Sequence, residues 1–362
     1  MTNEELNQEL TRIKHTKIKM CLYSRLIKNA KYTANKKNGG VIPAISDNRV
    51  LAVPIGCGNC IECKKQKARE WQVRLLEDVR HNTNGKFITL TFSNKSIKEL
   101  NDVITKKLGY SLKGYELDNE IATLATRRFL ERWRKENKKS LRHWLVTELG
   151  HNGTENIHMH GIIWTDKTEN EIANKWKYGF VWTGERNVTT GKTTNYVNEK
   201  TVNYITKYVS KMDFDHKEYK PIILTSAGIG RGYMDRTDWK KNTYKKGETK
   251  ETYTTKTGHQ IIMPIYWRNK IYTDEERENL WIEKLDKKVR WILGQKIDIS
   301  ENEEEYYKTL KEAREKNKRL GYGTSTIDWS RKKYEEERRT MLTQRRIENA
   351  PQVGERPPMG GE

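Results

Sequence analysis

Residues 141–164 read Leu-Arg-His-Trp-Leu-Val-Thr-Glu-Leu-Gly-His-Asn-Gly-Thr-Glu-Asn-Ile-His-Met-His-Gly-Ile-Ile-Trp, two β-forming runs separated by a Gly-Asn turn segment. The first run, Leu141 to Leu149, and the second, Ile157 to Trp164, predict an antiparallel hairpin with a long loop between them. The second strand carries two imidazoles, His158 and His160, where apolar side chains are expected. Alternate residues of a strand project to the same side, so these two can converge on one cation. By the same parity Trp144, Val146 and Glu148 share a face of the first strand. If the two faces coincide, Glu148 lies near the imidazoles as a third ligand. His151 and Glu155 in the loop are rivals for that role, and periodicity favours Glu148. Two histidines and a carboxylate suit Mn²⁺ or Mg²⁺ with positions left open for a phosphate oxygen, better than a closed zinc site. The competing reading is a pair of structural histidines.

Working outward, Lys86 to Phe92 alternates β-formers and reads as a buried strand. After a polar excursion, Glu120 to Asn137 places Ile121, Leu124, Phe129 and Trp133 on one helical face. Beyond the hairpin, Lys167 to Tyr178 reads as a short helix, Gly179 to Trp182 and Arg186 to Thr190 as short strands, and Asn195 to Lys211 as a helix. The order β, α, β, β, α, β, β, α predicts an α+β fold on a largely antiparallel sheet of the split β-α-β type.

The helix at the end of that series contains Tyr-x-x-Lys twice. Tyr204 and Tyr208 fall on one face, with Lys207 and Lys211 in a neighbouring row. A free phenol has a pKa of about 10, so attack on phosphate at neutral pH needs a nearby cation, which lysine or a metal provides. A phosphotyrosyl ester conserves the energy of the broken bond and can be resealed; a hydrolysed strand cannot. The bland alternative is a tyrosine pair packed on the sheet beside solvated lysines.

Composition narrows the partner. The chain has 362 residues, 70 Lys plus Arg against 49 Asp plus Glu, and a net charge of +21. Such a surplus favours a polyanion, and 11 Trp with 18 Tyr offer surfaces on which bases stack. Only 34% of residues are hydrophobic, which limits the core. The absence of a long apolar run, with a polar and acidic N-terminus, predicts neither a membrane protein nor a secreted one. Cysteines in a reducing compartment are metal ligands sooner than disulfides. Cys57-x2-Cys60-x2-Cys63, with Cys21 upstream, suits a tetrahedral structural Zn²⁺, which a loop-rich stretch from Cys21 to Trp71 needs as a staple. An iron–sulfur cluster and free buried thiols are the other readings. Past these cysteines, where helical character begins at Cys63, Lys64, Lys65, Lys67, Arg69 and Arg74 make a basic helix with one aromatic, Trp71. That helix lies along a DNA backbone or is a solvated face. Gly191-Lys192-Thr193 mimics the end of a phosphate-binding loop, but the pattern's first glycine would fall on Arg186, so neither ATPase nor helicase activity is expected.

Together these residues resemble the replication initiation proteins of small single-stranded DNA bacteriophages, of the gokushovirus branch of the microviruses. These belong to the rolling-circle nucleases named for a His-hydrophobic-His (HUH) motif. The likeness runs from about Met20 to about Lys288. It rests on Cys21-Leu22-Tyr23, Lys36-Lys37-Asn38-Gly39-Gly40 and Gly56 to Trp71, with Phe87-Ile88-Thr89-Leu90-Thr91-Phe92 as a first core motif. His158-Met159-His160 looks like the second and Tyr204 to Lys211 like the third; Ser226 to Gly230 and Tyr266 to Lys270 are further landmarks.

The resemblance implies an RRM-like HUH core and an endonuclease that nicks one strand at the viral origin. Such an enzyme stays linked through tyrosine to the 5′ phosphate, leaves a 3′ hydroxyl as primer and rejoins the displaced strand. His158 and His160 would then be metal ligands, Tyr204 and Tyr208 alternating nucleophiles, and Lys207 and Lys211 their helpers. Partners would be single-stranded or melted origin DNA, with host helicase and replication machinery as candidates, in the cytoplasm of an infected bacterium. The different-class alternative is a non-catalytic, zinc-containing single-strand binder. Along the chain, residues 1–80 form the expected Cys-rich segment and basic helix, 81–215 the nuclease core and 216–272 an irregular extension. Residues 273–348 read as charged helices and 349–362 as a Pro- and Gly-rich disordered tail.

Overall fold

The computed structural model describes residues 21–151, 155–186, 193–195, 197–211, 213–216 and 219–324. Extended segments β1 (Arg25–Lys28) and β2 (Ala52–Ile55) pair antiparallel and lead into helix α1 (Ile61–His81). The next run is β3 (Gly85–Leu90), α2 (Asn94–Leu108), α3 (Gly114–Asn137), β4 (Arg142–Leu149), β5 (Ile157–Trp164), α4 (Glu169–Trp176) and β6 (Val181–Trp182). Two short strands β7 (Glu185–Arg186) and β8 (Thr193–Thr194) precede α5 (Glu199–Ser210) and β9 (Ile223–Thr225). Strands β3, β4, β5, β6 and β9 form one sheet in the order β6-β3-β5-β4-β9, every neighbouring pair antiparallel. The fold is therefore α+β with antiparallel pairing.

The expected hairpin is β4–β5, in register from Arg142 opposite Trp164 to Leu149 opposite Ile157. Register fixes what each face does, because side chains of directly paired residues point the same way. On one face Ile88, Leu90, Leu145, Leu149, Met159 and Ile163 join Leu100, Ile121, Phe129 and Trp176 in a continuous buried core. This is the face that α2, α3 and α4 cover. The opposite face carries Phe87, Thr89, Val146, Glu148, His158 and His160. There β5, central in the sheet, comes so close to β4 that a Cβ on Gly161 would meet the carbonyl oxygen of Trp144 at 2.1 Å and Leu145 Cα at 2.8 Å. Gly161→Ala is expected to cost about 1–3 kcal/mol or more through overpacking against backbone. A urea unfolding midpoint equal to wild type would show that the strands part freely.

Some elements depart from the sequence expectation. The polar excursion after Phe92 is in fact α2, whose buried apolar stripe is only Ile97, Leu100 and Ile104, outnumbered by charged and polar neighbours. Its ends are nevertheless well marked: Ser93 Oγ accepts from Ser96 N, and Gly109 closes the helix at φ 78°. The strand read at Arg186 to Thr190 is described only for Glu185–Arg186, and Gly191 and Lys192 lie outside the described residues, as do 152–154 of the hairpin turn.

Contacts divide the chain into two units. One comprises Asp78–Tyr208, Asp213–Ile229 and Asp328–Glu362, and so holds the five-stranded sheet; the other comprises Met1–Glu77, Val209–Met212 and Gly230–Ile327. In the second, β10 (Thr252–Thr254) pairs with β11 (Gln260–Ile262), followed by α6 (Ile265–Ile271) and α7 (Asp274–Asp286). The region read as charged helices from Asp274 contains a further hairpin, β12 (Val289–Ile292) with β13 (Gln295–Asp298), before α8 (Glu304–Arg319). Its two-residue turn puts Leu293 and Gly294 at φ 50° and 89°. A leucine in that left-handed position replaces the usual Asn-Gly signal, so the local pattern does not announce the hairpin. Here the Cys-rich segment and the C-terminal elements share a core of Leu22, Ile61, Ile292, Ile297 and Leu310. Buried Asn317 ties them further, accepting from Ile61 N at 2.9 Å and donating to the Tyr322 carbonyl at 3.0 Å. Sequence beyond 324, including the expected tail, lies outside the described residues.

Candidate active site

The hairpin register sets Glu148 opposite His158, and Val146 opposite His160. One carboxylate oxygen, Glu148 Oε2, lies 3.3 Å from His158 Nε2 and 3.0 Å from His160 Nε2. The ligand atoms of all three residues fall within 4.8 Å of one another, and each side chain is mostly shielded. On the far side of each ring, His158 Nδ1 donates to the Asn156 carbonyl at 3.1 Å, and His160 Nδ1 is 2.9 Å from Thr89 Oγ1. With its Nδ1 proton committed to a carbonyl, His158 turns an Nε2 lone pair toward a carboxylate. That arrangement needs a second proton or a cation between them, and outer partners of this kind are what orient metal-ligating imidazoles.

Helix α5 brings the tyrosines to the same place. Its Val202, Ile205 and Thr206 are buried while Tyr204 is 48% exposed. Tyr208 stacks on the His160 ring with centroids 4.4 Å apart and planes 14° from parallel. Its hydroxyl donates to Tyr204 Oη at 2.6 Å. Burial, the Tyr204 hydroxyl and the Glu148 charge push the Tyr208 phenol well above its ordinary range. Phe87 completes the aromatic wall, edge-on to Tyr204 at 5.9 Å and 6.2 Å from the His160 ring.

Lys207 and Lys211 are exposed on α5 and just past its end. The two loop rivals for the third ligand position go elsewhere: His151 Nδ1 is 3.0 Å from Asp215 Oδ2, and Glu155 Oε2 is 3.2 Å from His216 Nε2.

Three contributors escape a reading of the sequence alone. Thr89 holds His160, Phe87 lines the tyrosines, and Asn195 pins the Phe87 backbone by accepting from its N–H at 2.9 Å and donating to its carbonyl at 2.8 Å. Strand parity in Lys86 to Phe92 would have found the first two, since Phe87 and Thr89 share a face; nothing local marks Asn195. Thr89→Val is expected to weaken Mn²⁺ binding about 10–100-fold, the usual cost of losing an outer-shell partner. Calorimetric titration with Mn²⁺ measures it, and wild-type affinity in the variant would remove Thr89 from the site.

The cysteine cluster is in the other unit. Cys21, Cys57, Cys60 and Cys63 bring their sulfurs within 4.8 Å of one another, with Cys60 Sγ 3.9 Å from Cys21 Sγ. Hydrogen bonds from the other three thiols hold Cys57 far below the ordinary thiol range, and Cys21 is lowered to about 7. In the same unit Lys65, Lys67 and Arg69 are exposed on α1, Lys64 stands 5.7 Å from the Tyr322 ring, and Arg74 is sandwiched between the rings of Trp71 at 4.1 Å and Tyr266 at 4.3 Å. Lys270 lies over the same Tyr266 ring at 5.3 Å. Arg74 is thus part of a cation–aromatic ladder instead of a lone phosphate contact.

Residues 85–213 match the family model of the replication-associated protein ORF2, a span that contains Glu148, His158, His160, Tyr204 and Tyr208. The match supports a rolling-circle replication initiator family, and with it a role in replicating DNA. No curated protein and no solved structure gives a match. Among the described residues, no helix is long and apolar enough to cross a membrane.

Proposed function

We propose that the chain is a metal-dependent HUH nuclease and strand transferase, of the paired-tyrosine kind found in gokushoviruses, that starts rolling-circle replication in an infected bacterium. The observation that carries this reading is the stacking of Tyr208 on His160, which sets two phenols beside a Glu148, His158 and His160 triad. These three residues would hold Mn²⁺ or Mg²⁺, an assignment their imidazole and carboxylate donors fit. When bound, the ion polarises a phosphate oxygen as a Lewis acid.

The chain's own groups do the rest. A tyrosine oxygen attacks the origin phosphate, the O–P bond forms as the P–O3′ bond breaks, the phenolic proton departs and the 3′ oxygen takes one up. The products are a 5′ phosphotyrosyl link and a 3′ hydroxyl. Tyr204, half exposed, is the more accessible to a strand arriving from solvent and attacks first. Tyr208, held over His160 with its hydroxyl 2.6 Å from that of Tyr204, is placed to take over at the regenerated origin. Lys207 and Lys211 would lend positive charge to the bound strand.

The four cysteines would hold a structural Zn²⁺. Thiolates on a tetrahedral zinc at about 2.3 Å stand about 3.8 Å apart, close to the Cys21–Cys60 separation of 3.9 Å. The corners of an iron–sulfur cubane hold their thiolates farther apart. Lys64, Lys65, Lys67 and Arg69, with the Trp71–Arg74–Tyr266–Lys270 ladder, would track a single strand by charge and base stacking.

The test is to incubate the protein with a pool of single-stranded oligonucleotides of randomised sequence and Mn²⁺, then run a denaturing gel. A covalent adduct that EDTA abolishes is expected. Binding of the pool without any adduct would instead favour the non-catalytic, zinc-containing single-strand binder.

A further inference from the structure

The turn before β5 and the chain leaving α5 meet at a buried histidine. Asp213, three residues beyond the end of α5, accepts from the backbone N–H groups of Asp215 at 3.0 Å and His216 at 2.9 Å. Its other oxygen takes His216 Nδ1 at 2.8 Å. On the opposite edge of the ring, His216 Nε2 lies 3.2 Å from Glu155 Oε2, and the His216 side chain is 4% exposed. Glu155 holds φ at 43°, left-handed backbone that a residue with a side chain adopts only when its surroundings enforce it. Tyr115 closes the ring edge-on at 6.3 Å, and the His151 ring stands 6.2 Å away with Asp215 on its Nδ1.

A ring with a carboxylate at each nitrogen is satisfied only as an imidazolium, because a neutral ring would point a lone pair at one of them. Although burial works against the charge, Asp213 and Glu155 raise His216 to about 9, so it is protonated at neutral pH. Further along, the same segment is fastened to β4: Tyr219 Oη donates to Thr147 Oγ1 at 2.6 Å, and Ile222 N donates to the same oxygen at 3.0 Å.

We propose that His216 is a positioning residue whose bridge from Asp213 to Glu155 locks the exit of the tyrosine helix to the entry of the histidine strand. Tyr208 precedes Asp213 by five residues and His158 follows Glu155 by three, so the bridge fixes the spacing between the phenols and the imidazoles from outside the site. The inference rests on the nuclease reading for its catalytic consequence. A misplacement of the reacting groups by about 1 Å costs on the order of 100-fold in rate.

Glu155→Gln keeps an acceptor for Nε2 and removes the charge; Asp213→Asn does the same at Nδ1. Both are milder than His216→Ala, which strands two buried carboxylates. In full-length protein, either variant should slow adduct formation about 100-fold on the oligonucleotide that wild type captures, with unchanged affinity for that strand. Glu155→Gln should also move the alkaline fall of the rate to lower pH, since the bridge then loses its proton sooner. Amide hydrogen exchange in the last turn of α5 should quicken about tenfold in both variants, with the first turn unchanged.

Wild-type rates in both variants overturn the proposal, as does unchanged exchange. If wild type forms no adduct but exchange responds, the nuclease reading fails and the tie between helix and hairpin stands. A manganese ion retained by the His158→Ala/His160→Ala protein, and lost on adding Asp213→Asn and Asp215→Asn, would mean that these carboxylates serve a cation and not the imidazolium, and overturns the proposal as well.

Discussion

Replacing both Tyr204 and Tyr208 by Phe abolishes the covalent adduct, with a fall in its rate of about 10⁴-fold or more, the scale on which removal of a nucleophile acts. The substitution is nearly isosteric. A phenylalanine at position 208 keeps the ring that stacks on His160, and one at position 204 keeps the edge contact with Phe87, so Mn²⁺ affinity and single-strand binding should be those of wild type. The single variants separate the roles: Tyr204→Phe should lose most of the first nicking reaction, whereas Tyr208→Phe should nick and then fail to resolve the adduct onto a second strand. Denaturing gels with one labelled strand, then with a second unlabelled strand, read the two steps. Adduct of wild-type yield in the double variant would show that some other residue is the nucleophile.

Cys57→Ser should have the largest effect on stability. If zinc organises residues 21–77, removing one thiolate forfeits much of a binding energy that in small zinc modules is about 10–16 kcal/mol and is inseparable from folding. The segment has little else to hold it, since the apolar residues around Cys21 and Cys60 amount to Leu22 and Ile61 packed on Ile292, Ile297 and Leu310. Metal analysis should give one zinc per wild-type chain and less than one for the variant, and cobalt substitution should give thiolate charge-transfer absorption that the variant loses. Thermal unfolding of the variant should begin at a much lower temperature. Equal metal content in the two proteins would exclude this cysteine as a ligand.

The candidate active site is legible in the sequence because it is built by strand parity and helical periodicity, which are local rules. His158 and His160 two apart, Glu148 reached by counting back along the hairpin, and Tyr204 and Tyr208 four apart each follow from backbone geometry. The rest comes from partners distant in sequence. Thr89 reaches His160 only because β3 pairs with β5, and Asn195 caps the edge of β3 from over 100 residues away. Helix α2 hides behind its charges, and hairpin β12–β13 behind a leucine in a position that usually takes Asn or Gly. The Cys-rich segment and the charged C-terminal helices look like separate regions, yet Asn317 and the isoleucines of that hairpin join them in one core.

By itself, then, the sequence determined the antiparallel hairpin, the parity that aligns two imidazoles with a carboxylate, the spacing of two phenols along one helix, and a charge balance fit for a polyanion. Each depends on repeat distances within a single element, which side-chain order encodes directly. Only the tertiary structure decided that the Tyr208 ring lies on His160, that His151 and Glu155 turn away from the metal ligands toward Asp215 and His216, and that Arg74 is held between two aromatic rings. Those outcomes depend on which elements pack together, and packing is set by the combined burial of many weak contacts that no local pattern records.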